Sequence, residues 1–119
     1  MRIIYIAVAG MAGTLARYGL EQYAPGRAAT LTVNLAGSFA LGFIIHYATR
    51  SGGVVSPDLR GALTIGFCGA FTTMSTFSYE TLALLSQGSY WRAGLYGGAT
   101  IFGCLTATLL GMVLAERLV

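Results

Sequence analysis

Apolar residues fill four long stretches of this 119-residue chain, separated at Pro25-Gly26, Ser51-Gly52-Gly53 and Gln87-Gly88-Ser89. A helical run of roughly 20 apolar residues matches the ~30 Å hydrocarbon core of a bilayer. The pattern therefore predicts four helices over about 3–23, 29–49, 58–86 and 91–115. Pro25 stiffens and Gly26 permits the first turn, Pro57-Asp58 places an acid at the positive end of the third helix, and Trp91 is an interfacial aromatic opening the fourth. The third stretch differs from the others. Between Gly66 and Ser78 it carries Thr72, Thr73, Ser75, Thr76 and Ser78 at mid-span. Hydrocarbon offers no water, so these hydroxyls are either packing devices or the lining of a polar path. Gly69 removes a steric obstacle to non-helical backbone just before Thr72-Thr73, and an interruption is expected between Gly69 and Thr73. Such a break frees carbonyls that suit a cation and amides that attract an anion. A continuous glycine-containing helix is the competing reading.

Helical spacing brings out two polar stripes. Thr30, Asn34 and Ser38 recur every fourth residue on the second helix, and Tyr96, Thr100 and Cys104 do so on the fourth. Steps of four rotate by only ~40°, so each trio lines one face. Serine and threonine in membrane helices commonly back-bond or pack, but Asn34 brings two donors and two acceptor lone pairs that lipid cannot satisfy. Gly37, Gly42, Gly94, Gly97, Gly98, Gly103 and Gly111 read as close-approach positions between helices, with Gly94 and Gly98 forming a small-xxx-small pair.

Composition settles the class. Hydrophobic residues make up 55% of the chain and charged ones 9%, far below the ~25% charged residues of ordinary soluble domains, and the mean hydropathy is +0.71. The chain reads as an all-α integral membrane protein of one domain. Met1-Arg2 and the apolar run after it resemble a signal peptide, but the run continues to Tyr18 and further spans follow, so it is read as an uncleaved first helix. The net charge of +3 comes from seven scattered arginines and no lysine, a pattern of interfacial anchors instead of a nucleic-acid patch. Arg2, Arg50, Arg60 and Arg117 fall on the face shared by both termini, against Arg27 and Arg92, with Arg17 a few residues inside. So weak a bias permits insertion both ways round, and hence an antiparallel dimer. Arg17 either draws anions into a vestibule or snorkels; Glu80 is placed near the polar surface. Cys68 and Cys104 are expected as free thiols, and no metal spacing exists. His46 stands alone and no catalytic set accompanies it, so an enzyme is not expected.

These residues carry a resemblance. Thr32-Val33-Asn34-Leu35 with Gly37, the run from Gly66 through Ser78 into Tyr79-Glu80-Thr81, and Tyr96-x3-Thr100-x3-Cys104 resemble the Fluc (CrcB) fluoride channel family over nearly the whole chain. The resemblance implies a passive fluoride channel that relieves cytoplasmic fluoride toxicity in a bacterial-type inner membrane. It implies an antiparallel, dual-topology homodimer of four-helix subunits with a broken third helix, two pores and a central structural sodium ion. The sodium would be held by backbone carbonyls matching Gly69 and Thr72. The anion path would involve Asn34, a phenylalanine pair matching Met74 and Phe77, and a hydroxyl track matching Tyr96, Thr100 and Cys104; Thr30, Ser38 and Thr76 join it as hydroxyls of the same stripes and cluster. Met74 in place of phenylalanine and Cys104 in place of serine depart from the family pattern.

Fluoride suits such a lining. It is small and strongly hydrated, so a dry pore must replace water with neutral donors and ring edges that do not trap the ion. Fluoride over chloride comes from the resemblance, not from composition. A small dual-topology multidrug exporter of similar length is the alternative; it requires a carboxylate deep in a span, whereas Glu21 and Glu80 lie toward helix ends. An accessory subunit without transport activity is a third reading, against which the interior polar stripes argue.

Overall fold

The computed structural model describes residues 1–24 and 26–119. The proline of the expected Pro25-Gly26 turn lies outside the described residues; Gly26 itself has φ of 68° and starts the next helix by accepting from the amides of Ala29 and Thr30. Among the described residues every regular element is helical: α1 (Arg2–Tyr23), α2 (Arg27–Arg50), α3 (Pro57–Gly61), a π-helical segment (Ala62–Cys68), α4 (Gly69–Phe71), α5 (Met74–Ser86) and α6 (Tyr90–Glu116). Three of these, α1, α2 and α6, are long and apolar enough to cross a membrane, with 22, 24 and 27 residues.

The third stretch is assembled in pieces. Ser56 opens α3 by accepting from the Leu59 amide at 3.2 Å, with Pro57 just inside the helix and Asp58 in its first turn. After α4 the backbone is extended at Thr72 (φ −83°, ψ 159°) and Thr73 (φ −149°, ψ 108°), and α5 begins at Met74. Gly69, which the sequence suggests as the flexible point, is itself helical at φ −61° and ψ −35°. The chain leaves the helix at two β-branched residues, and an outside partner holds it there, as described below. α5 ends conventionally: Gly88, at φ 75°, donates to Leu85 and Ser89 donates to Leu84, a Schellman closure that needs a residue tolerant of the left-handed region.

Close backbone approach fixes the helix pairs. A methyl group at Gly42 would collide with the carbonyl of Thr108, and one at Gly111 with the carbonyl of Phe39, so α2 and α6 touch main chain to main chain. Gly13 and Gly66 do the same between α1 and the π-helical segment, meeting Phe67 and Ile6, and Gly37 leaves room for the Thr72 side chain. Gly94, Gly97 and Gly98 behave differently, for among the described residues nothing beyond their own helix backbone lies within 4 Å of a Cβ built on them. Their close-approach role is not exercised within the described chain.

Little of the chain is core. Phe77, Leu84, Ala93 and Tyr96 form a buried cluster with Leu31 beside it, while Ile3, Leu15, Ile65, Phe102 and Leu109 are exposed. Exposed apolar surface on this scale fits a lipid-facing exterior, where hydrocarbon solvates side chains and packing selects small residues.

Candidate functional site

Most hydroxyls in the spans are spent locally. Thr32, Thr64, Thr72, Ser78 and Thr81 donate to the carbonyl four residues back, the usual fate of such residues in lipid. The exceptions define the site.

Asn34, buried on α2, faces the extended pair. Its Oδ1 accepts from the Thr73 amide at 2.7 Å and its Nδ2 donates to the Thr73 carbonyl at 3.1 Å. The backbone's roles are unambiguous, so this pairing also fixes which way the carboxamide points. Thr73 then caps α5, its hydroxyl accepting from the Thr76 amide at 3.2 Å and donating to the Thr76 hydroxyl at 3.0 Å. Two carbonyls lose their helical donors as a result. The Thr73 amide that would serve Gly69 is taken by Asn34, and the Thr76 amide that would serve Thr72 is taken by the Thr73 side chain.

A second knot of polar groups surrounds Glu80. Thr30 donates to Oε1 at 3.0 Å and Tyr96 to Oε2 at 2.6 Å, and the Tyr96 ring packs against Phe77 with centroids 5.3 Å apart. Glu80 is therefore half-buried and turned toward the interior, where the sequence places it near the surface. Helix rotation explains the difference: Glu80 lies three residues after Phe77 and shares its inward face. It is also the only acid between Asp58 and Glu116, and that isolation among hydroxyl-bearing spans is the signal that marks it.

A pocket of about 430 Å³ adjoins the first knot at Asn34 and is parted from the second by Phe77, which packs on Tyr96. Asn34, Ser38, Gly69, Thr72, Met74, Phe77, Thr100 and Cys104 border it, and no charged residue does. Thr30, Thr76, Tyr96 and Arg17 are not brought to its wall; the first three belong to the networks around it, and Arg17 forms no ion pair among the described residues. The Thr100 hydroxyl is buried without a hydrogen-bond partner among the described residues, and Met74 is 69% exposed. Cys68 and Cys104 are free thiols. Asn34 commits one Nδ2 hydrogen to Thr73, which leaves one for the pocket.

These features define a multi-pass, all-helical membrane protein with an uncharged, donor-bearing pocket beside an extended backbone pair. The chain belongs to the CrcB family: residues 4–112 match the family described as CrcB-like protein, Camphor Resistance (CrcB). Curated relatives bear this out over almost the whole length. The chain is 46% identical to the "Fluoride-specific ion channel FluC" of Geobacter sulfurreducens and 43% identical to that of Geotalea uraniireducens, in each case across 98% of both chains. It is 45% identical to the protein of the same name from Sorangium cellulosum, across 99% of this chain and 97% of that one.

Proposed function

We propose that this protein is a passive, fluoride-selective channel that lets fluoride leave the cytoplasm and so limits its toxicity. The observation that carries the reading is the uncharged pocket with the uncommitted Thr100 hydroxyl and the spare Asn34 donor. Neutral donors replace the hydration of a small anion without holding it as a fixed positive charge would, which is what turnover in a pore requires. The names of the relatives supply the identity of the anion. A cation-drug exporter is disfavoured, because Glu80 is engaged by two hydroxyls and its relatives are named as ion channels.

The assembly proposed is an antiparallel, dual-topology homodimer in a bacterial-type inner membrane. Exposed Met74, which would complete an anion-lining surface only beside another subunit, and the unengaged Gly94 and Gly98 support it. A structural sodium ion at the interrupted third helix fits the same residues. The Gly69 and Thr72 carbonyls lack their helical donors and are hard, neutral oxygen ligands suited to a monovalent cation. No group of three His, Cys, Asp or Glu that could bind another metal occurs among the described residues.

Efflux from liposomes tests the channel directly. Purified protein should release fluoride, read by a fluoride-selective electrode, and retain chloride; equal release of both, or of neither, would sink the reading.

A further inference from the structure

A second pocket of about 240 Å³ adjoins the first, and the two share Leu41 and Thr108 in their walls. Its lining changes character. The first pocket is uncharged; the wall of the second stays mainly apolar, with Leu41, Ile45 and Met112, but His46, Thr49 and Arg50 near the end of α2 also border it. Glu116, the last residue of α6, engages both side chains: Arg50 Nη2 lies 2.7 Å from Oε1, and His46 Nε2 bonds Oε2. All three side chains remain reachable by solvent, with the imidazole 25%, the carboxylate 48% and the guanidinium 57% exposed.

Building on the channel reading, we propose that this second pocket is the mouth of the conduction path on the face of the chain termini. There Arg50 and His46 collect the permeating anion, and the Glu116 carboxylate sets how much of their field the anion feels. Thr108 marks the join between mouth and interior: its hydroxyl is held by the Cys104 and Ser38 carbonyls at 2.9 and 3.3 Å. An anion moving outward thus passes from neutral donors to a cationic rim, where water is again available. The carboxylate matters because an unopposed guanidinium at a narrow outlet would hold the anion it should release. Glu116 offsets that charge while leaving Arg50 and His46 their remaining N–H groups. The rim is thereby attractive without becoming a trap, the balance that conduction demands.

Two substitutions of the same ion pair separate a field from a brace. In water a unit charge at a separation of about 7 Å changes the local concentration of a monovalent anion two- to threefold at low ionic strength. Initial fluoride efflux at sub-saturating fluoride should therefore rise about two- to threefold in Glu116→Gln and fall by a similar factor in Arg50→Gln. Both differences should shrink when impermeant potassium gluconate raises the ionic strength, since the charges are exposed and screened. If the pair only braces α2 against α6, both substitutions shift flux in the same direction and added salt leaves the ratio unchanged; that result would overturn the proposal. Unchanged flux in both variants beside a conducting parent would also overturn it while leaving the channel reading standing. A parent that passes no fluoride would remove the channel reading itself, and the mouth with it.

Discussion

Asn34 grips Thr73 by both of its main-chain polar groups, so one side chain on α2 replaces the two backbone partners that an uninterrupted helix would have given that residue. The consequence can be tested at one atom. Asn34→Asp keeps the size and the acceptor but loses the donor to the Thr73 carbonyl and, when ionised, repels an anion. A buried group stripped of its partner costs about 1–3 kcal/mol, and fluoride efflux should fall at least about tenfold. Denaturation of the purified variant should show the loss of stability in parallel. Full stability and full flux together would mean that neither role exists.

Thr100 offers the opposite combination. Its hydroxyl is buried and unpartnered, so Thr100→Val removes an unsatisfied polar group at nearly constant volume. Stability should hold or rise by up to about 1 kcal/mol. Fluoride flux should nevertheless drop, because an uncommitted donor at the pocket wall is gone. A variant that is stabilised and conducts normally would make the hydroxyl a packing remnant.

Phe77 and Met74 lie three residues apart, and their surroundings predict different outcomes. Phe77 is in the buried cluster against Tyr96, and Phe77→Ala should cost about 3–5 kcal/mol as well as flux. Phe77→Leu keeps most of the volume and isolates the contribution of the ring to conduction. Met74 is largely exposed, so Met74→Phe should fold like the parent and alter efflux only modestly. Thermal melts read beside electrode traces for the three variants check the ordering.

A side-chain carbon at Gly94 or Gly98 would meet nothing within 4 Å beyond their own helix backbone among the described residues. Leucine at both positions should therefore leave the subunit fold intact and weaken the proposed homodimer, shifting detergent-solubilised protein toward monomer in size-exclusion chromatography with light scattering. Gly42→Leu, by contrast, drives a side chain into the Thr108 carbonyl and should reduce the yield of folded protein. An unchanged dimer in the Gly94→Leu, Gly98→Leu variant would place the interface elsewhere.

The helical, membrane-spanning character of the chain was legible because lipid imposes a simple rule: long apolar runs with polar turns between them leave few alternatives to helices. The stripes were legible too, since Thr30, Asn34 and Ser38 obey the helical repeat. Their employment was not. Thr30 turns to Glu80, Asn34 to the Thr73 backbone and Ser38 to the pocket, because a shared face spans several tens of degrees and the neighbouring helix differs at each level. The extended residues Thr72 and Thr73 come at the far end of the stretch between Gly69 and Thr73 where an interruption is expected, while Gly69 itself stays helical. Glycine marks where a backbone is free to bend, but the bend forms where a partner compensates the lost hydrogen bonds, and that partner lies 39 residues away from Thr73 on another helix. Glu80 and the pairing of His46 with Glu116, 70 residues apart, depend on long-range approach that periodicity within one helix does not encode.

The π-helical segment ahead of the extended pair makes chain length part of the design. Each of its turns consumes an extra residue compared with an α-helix, so its seven residues, Ala62–Cys68, set how far along and around its axis the following backbone emerges. Rewound as α-helix, the same seven residues would carry Thr72-Thr73 around by on the order of 100°, out of the reach of Asn34, and losing one residue at the same time would largely restore the register. In this stretch winding and residue number are coupled, so a single-residue deletion should be tolerated there only where the segment rewinds to α-helix, a condition that the Ser51-Gly52-Gly53 loop does not impose.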